Sequence, residues 1–362
     1  MKTDDDPFNF AEIFRYSEDI SSNKIDNVAN SSYEISEVHN SLLINSSISP
    51  LIFDSLERVS YNLKINVDKI NLYVFSSGEI NARCFNGVNG GFVIILSSKI
   101  IEILDGLELD FVIGHELGHL LLKHTQEERD SSPEGLKLSR AKEISVDRIG
   151  LVACQDLDST MRAIMKTISG LPSKYLNFNF SEFMNQIRIY DLDSSKILER
   201  SSHPSFLIRA RALMHFSGSD IYQALFQSDG KIIQDVDKQI KREMDKFIDK
   251  TFNEEIIERE NNFEFWLSSF AAISKNSLSK EDQELIKKHY GNDKLNKFKS
   301  LIMERSSNEV LKIVQEKLLE SFAKLSEMKS ASIDKDLRFS LDKISKIFKV
   351  ENLIDKFSKL FE

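Results

Sequence analysis

Residues 107–124 read LELDFVIGHELGHLLLKH, and the spacing inside this stretch sets both the expected fold and the expected chemistry. Phe111, Val112, Leu117, Leu120 and Leu121 recur at helical intervals, so one largely apolar helix is expected here. Residues four apart on a helix are offset by only about 40°, which puts His115 and His119 on one face, where both rings can grip a single ion. Glu116, one position on, reaches the open side of that ion and suits a base acting on water.

A catalytic zinc normally takes three protein ligands, so a third is needed. The metzincin continuation requires a glycine three residues and a histidine six residues beyond His119; Leu122 and Thr125 stand there instead. On a straight helix His124 points about 140° away from His119 and reads as a histidine at the negative end of the helix dipole. Glu143 lies on the next helical stretch, LKLSRAKEISVDRIGLVA (136–153), with Asp147 one turn further on the same face. Glu143 can ligate the ion while Asp147 takes a hydrogen bond from a ligand histidine's second ring nitrogen. The competing reading is a solvated face whose carboxylates pair with Lys142, Arg140 or Arg148, and the histidine pair upstream tells against it.

Working outward, SPLIFDSLERVSYNL (49–63) spaces Leu51, Ile52, Leu56, Val59 and Leu63 for a helix with Ser49 as its cap and Pro50 in its first turn. Three short β-type runs follow, INLYVFSS, EINARCF and GGFVIILSS, split by turn residues and expected to pair antiparallel. The run Phe92-Val93-Ile94-Ile95-Leu96 has two readings. Phe92, Val93 and Ile94 belong either to an exposed edge that pairs with an extended substrate or to a strand buried on both faces, where unbroken apolarity is the rule. A further helix is expected to start at an N-cap near Asp158. Beyond Gly218 the chain turns into charged amphipathic helices, as in KIIQDVDKQIKREMDKFIDK with Ile232, Val236, Ile240, Met244 and Phe247 on one side.

The 362 residues, 41% of them hydrophobic, hold enough chain for two domains with real cores. With 48 basic against 57 acidic residues the net charge of -9 opposes binding to nucleic-acid phosphates or anionic lipid, and no nucleic-acid partner is expected. Cys84 and Cys154 are too few for a disulfide framework and are expected as ordinary buried thiols. The start, MKTDDDPFNF, is acidic and lacks the apolar run of an export signal, and no stretch approaches the roughly 20 apolar residues of a membrane span. The expectation is a cytoplasmic protein without an integral membrane segment.

Four stretches together resemble the HtpX and CAAX prenyl endopeptidase family of zinc metallopeptidases, of the gluzincin type. GGFVIILSSKIIEIL looks like the family's edge strand and following helix, DFVIGHELGHLLLKH like its zinc helix, AKEISVDRIGL like its third-ligand helix, and SHPSFLIRARAL like its H-P segment. The resemblance implies one catalytic zinc held by His115, His119 and Glu143, with Glu116 as general base and Asp147 behind the ligands. It also implies His203 as the group that stabilises the oxyanion. Arg209 matches the family's arginine after the H-P pair, with Arg211 as a nearby rival.

The expected fold is α+β and mostly helical. An N-terminal arm or cap (1–47) precedes a zincin-type metallopeptidase domain with a small antiparallel sheet (48–218), and an all-helical accessory region (219–362) follows. Residues 263–291 of that region faintly resemble a TerB-like helical hairpin, from which no activity is inferred; its helices are a candidate surface for a protein partner. The expected function is a zinc endopeptidase acting on soluble protein or peptide substrates. Two alternatives stay open: an exopeptidase, and a non-enzymatic scaffold in which zinc only stabilises the fold.

Overall fold

A computed structural model describes residues 6–20, 38–87, 90–126, 130–186, 204–247, 249–275, 278–303, 305–329 and 332–361. The chain divides into two compact units, Met1–Arg129 with Leu136–Asp249, and Asp130–Gly135 with Lys250–Glu362. The architecture is mostly helical α+β, with one four-stranded sheet among the described residues.

In the first unit, α1 (Pro7–Glu12) is followed by β1 (Leu42–Leu43), α2 (Pro50–Asn62), β2 (Ile70–Phe75), β3 (Ala82–Asn86), β4 (Phe92–Ser97) and α3 (Ser98–Ile103). Then come α4 (Leu107–Leu121), α5 (Pro133–Cys154), α6 (Leu157–Ser169), α7 (Phe180–Asn185), α8 (Phe206–Ser217), α9 (Asp220–Gln223) and α10 (Ile233–Phe247). Asp156, not Asp158, caps α6: its carboxylate accepts the Ser159 N–H, three residues on as an N-cap requires.

The sheet order is β1-β2-β4-β3, and it is mixed rather than antiparallel: β4 runs parallel to β2 and antiparallel to β3. Beside the β3–β4 pairing the Gly87 N–H donates to the Gly91 carbonyl, and the other side of β4 pairs with β2. This corrects the edge-strand reading. Phe92, Val93 and Ile94 lie on an inner strand whose backbone is paired on both sides, so it has no free edge for a substrate. Its apolar run is unbroken because both faces are covered. Phe92, Ile94 and Leu96 enter the main core, while Val93 and Ile95 pack with Phe85 on the opposite face.

Helix α4 is buried almost all round, which explains its lack of a polar stripe. Residues 7–20 are no loose arm: Ala11, Phe14 and Tyr16 belong to the same core. The first unit also runs past the change in composition at Gly218, because Val236, Ile240 and Met244 of α10 complete that core. Buried pairs Arg148–Asp237 and Arg140–Asp249 occur within this extension.

The second unit holds α11 (Lys250–Ile273), α12 (Lys280–Ile302), α13 (Ser307–Ser326), α14 (Ile333–Phe348) and α15 (Leu353–Ser358). They enclose a core that includes Phe263, Phe265, Phe270, Phe298, Val314, Leu318 and Ile344, with Trp266 partly buried against it. Capping boxes Ser279–Asp282 and Ser306–Glu309 start α12 and α13, and Gly291 at φ 86° breaks α12 in the left-handed region. No described helix is long and apolar enough to cross a membrane.

Two packing features are open to measurement. A Cβ added at Gly114 would lie 2.4 Å from the Ala153 Cβ, so Gly114→Ala is expected to cost about 1–3 kcal/mol by overpacking. A urea midpoint within error of the parent would contradict this close crossing. On α10, Glu243 accepts hydrogen bonds from Arg211 at 2.7 and 2.5 Å and lies 3.2 Å from His215. Burial pushes its carboxyl up, but these α8 partners outweigh that and hold it at about 2, against an ordinary value of 4.5. The unfolded chain therefore takes the proton first, so the pair's contribution is complete above about pH 4.5 and is lost as pH falls towards 2. The stability gap between parent and Glu243→Gln should narrow from pH 6 to pH 3; a constant gap would remove this role.

Candidate metal centre

His115 and His119 stand one turn apart on α4, and Glu143 faces them from α5. The two helices meet along a seam of small residues. A Cβ on Gly118 would come 3.1 Å from the Val146 Cβ, and Gly114 sits 3.1 Å from the Gly150 Cα on the same measure. Each glycine directly precedes a residue of the HELGH run, so this backbone approach is what lets a short carboxylate span the gap between helices.

The donor atoms converge. His115 Nε2 is 3.6 Å from Glu143 Oε2, and His119 Nε2 is 3.5 Å from Glu143 Oε1. All three ligand atoms lie within 4.8 Å of one another. Separations of 3.5–3.6 Å exceed an ordinary N–H···O bond. They approach the edge of a tetrahedron with metal–ligand distances of about 2.0–2.1 Å, an edge of roughly 3.4 Å. Two imidazoles and a carboxylate are also a donor set zinc accepts.

Behind the ligands, Asp147 Oδ1 lies 3.0 Å from His115 Nδ1. Arg209 on α8 grips Asp147 through two bonds, Nε to Oδ2 at 2.7 Å and Nη2 to Oδ1 at 2.6 Å, and its Nη1 lies 3.6 Å from Glu143 Oε2. Burial alone would raise both carboxyls. For Glu143 the close His119 imidazole and the His115 and Arg209 charges reverse this and hold the group well below the carboxylate range. For Asp147 the Arg209 charge and hydrogen bonds do so, with help from His115. Two buried carboxylates thus face one guanidinium, and the uncompensated negative charge suits a cation. Arg211, the rival, turns to Glu243 instead.

Glu116 lies on the same helix and is largely buried. Cys84, read as an ordinary buried thiol, sits on β3 where burial and the neighbouring Glu116 carboxylate push it well up. His203 lies outside the described residues. Sequence reasoning missed His124 as part of the site. Lys123 adopts the left-handed region at φ 61° and ends the helix, and a 3-10 turn at His124–Gln126 folds His124 back towards His119, with the Nδ1 atoms 3.2 Å apart. The 140° offset holds only for a helix that continues, and the spacing of HELGHLLLKH carries no signal of the turn.

A helix-borne histidine pair with a carboxylate from a second helix is consistent with an HExxH…E zinc site. Residues 51–132 match the model of Peptidase family M48. The match takes in His115, Glu116 and His119 and stops short of Glu143, so the third ligand rests on the geometry above. The chain is also similar to the Arabidopsis thaliana protein "Plastoglobule-localized metallopeptidase 48, chloroplastic", at 28% identity over 193 residues, which cover 45% of this chain and 56% of that relative. The chain thus aligns with little more than half the length of the relative. No solved structure matches.

Arg209→Met would leave two buried carboxylates without their guanidinium. The metal-free protein is expected to lose about 3–5 kcal/mol in urea unfolding. A loss below about 1 kcal/mol would mean that Arg209 does not hold the ligand carboxylates.

Proposed function

We propose that this chain is a zinc-dependent endopeptidase that hydrolyses peptide bonds of protein or peptide substrates. The observation that carries the reading is the convergence of His115 Nε2, His119 Nε2 and Glu143 on one point, with Glu116 next in sequence to a ligand. The match of residues 51–132 to Peptidase family M48 supports it.

In this reading His115, His119 and Glu143 hold one zinc ion, which when bound supplies Lewis-acid activation of water and of the scissile carbonyl. Glu116 takes the proton from the attacking water and delivers it to the leaving amine. Asp147 fixes the His115 ring with its proton on Nδ1, and Arg209 fixes Asp147. His203 is proposed, from the family resemblance, to share the charge developing on the carbonyl oxygen. β3, the outer strand of the sheet among the described residues, packs along α4 and is a better match for an extended substrate than β4.

The scaffold alternative gives Glu116 no task, because the ion needs no base to be held. We further propose a cytoplasmic setting, which suits two free cysteines, and a protein partner for the second unit, where Met303, Phe339 and Phe361 expose apolar surface.

Glu116→Gln is the test. The variant should retain zinc at the parent's stoichiometry while peptide cleavage falls on the order of 100- to 10,000-fold. Equal cleavage by the two purified proteins would overturn the assignment of the base, and with it the proposed mechanism.

A further inference from the structure

We propose that residues 7–20 are part of the metal centre, with Asp19 acting through His124 as a positioning residue for the His119 ligand. The proposal rests on the reading of His119 as a ligand and adds to it a support from a distant segment of the chain.

The contacts form one connected line. His119 Nδ1 lies 3.2 Å from His124 Nδ1, and His124 Nε2 lies 3.1 Å from Asp19 Oδ2. The side chains of His124 and Asp19 are 4% and 0% exposed. Asp19 is held in turn by Arg15, whose Nη1 is 3.1 Å from Oδ2. Arg15 is braced by Glu12 at 2.7 and 2.8 Å, and it donates to the Leu122 carbonyl at the end of α4 at 3.0 Å. The segment's backbone is pinned as well. The Tyr16 N–H donates to Ser145 Oγ and the Ser17 N–H to Asp237 Oδ2, each at 3.0 Å.

Proton placement gives this line a direction. His119 turns Nε2 towards Glu143, and that nitrogen must offer its lone pair to a metal, so the ring proton sits on Nδ1. The Nδ1–H then donates to His124 Nδ1, which must be the bare nitrogen. His124 therefore carries its proton on Nε2, where the Asp19 carboxylate accepts it. The opposite His124 tautomer would set two N–H groups against each other at 3.2 Å and leave a lone pair facing a carboxylate. Arg15 Nη1 is the other neighbour of His124 Nε2, but at 3.5 Å it is beyond an ordinary hydrogen bond, and Asp19 decides the matter.

Each ligand histidine thus ends at a buried carboxylate. His115 reaches Asp147 directly, and His119 reaches Asp19 through one intervening ring. Such outer partners orient the ring and raise its basicity, and their loss typically weakens metal binding about 10- to 100-fold. The consequence particular to this chain is coupling. Zinc affinity depends on the docking of residues 7–20, and by linkage zinc binding strengthens that docking.

The test compares zinc dissociation constants, by competition with a chromogenic chelator, for the parent, Asp19→Ala, Asp19→Asn, His124→Phe, His124→Asn and His119→Ala, together with imidazole ¹⁵N shifts. Expected are a His124 ring protonated on Nε2, zinc binding weakened about 10- to 100-fold in Asp19→Ala and His124→Phe, and recovery towards the parent in His124→Asn, whose amide oxygen restores an acceptor for His119. If His124→Phe does not fold, the isosteric Asp19→Asn carries the test, with affinity expected between those of the parent and Asp19→Ala. Parent-like affinity in Asp19→Ala, or a His124 proton on Nδ1, would overturn the relay while leaving His119 as a ligand, provided His119→Ala loses zinc. Parent-like affinity in His119→Ala would instead overturn the ligand reading itself.

Discussion

The close crossing of α4 and α5 is the constraint on which the site depends. Gly114 and Gly118 on one helix, against Val146, Gly150 and Ala153 on the other, let the backbones approach until a glutamate side chain meets two imidazoles. A Cβ at either glycine would have to displace its neighbour, and a small separation of the helices would take Glu143 out of reach of His115 and His119. Helix glycine costs about 1 kcal/mol relative to alanine, so its use twice in GHELGH is explained by packing rather than by propensity.

Electrostatics then hold the arrangement without a metal. Glu143 and Asp147 are buried carboxylates that would repel each other, and Arg209 lies against both. A guanidinium suits this task because its fork binds Asp147 through two parallel hydrogen bonds and leaves a third nitrogen towards Glu143. The burial of these charges is tolerable because they are paired, and the negative charge left over favours cation binding.

Much of this was legible in the sequence. The helical period of residues 107–124, the i, i+4 histidines and the i, i+4 Glu143–Asp147 pair are local patterns, and local patterns survive folding. Three features were not legible for physical reasons. The apolar run of β4 looks the same on an edge as in the middle of a sheet; pairing partners decide, and those on β2 lie 22 residues away in sequence, as Asn71 does from Val93. The place of Asp19 depends on a contact spanning 105 residues. His124 depends on a single left-handed residue, Lys123, which breaks the helix although lysine has no particular preference for that conformation.

The most direct measurement is X-ray absorption at the zinc edge of the loaded protein, parent against Glu143→Ala. Expected is one zinc per chain with only nitrogen and oxygen neighbours at about 2.0–2.1 Å, two of them imidazoles, and a spectrum altered by the Glu143 substitution. A sulfur neighbour at about 2.3 Å, or a spectrum indifferent to Glu143, would contradict the convergence of these three side chains on one ion.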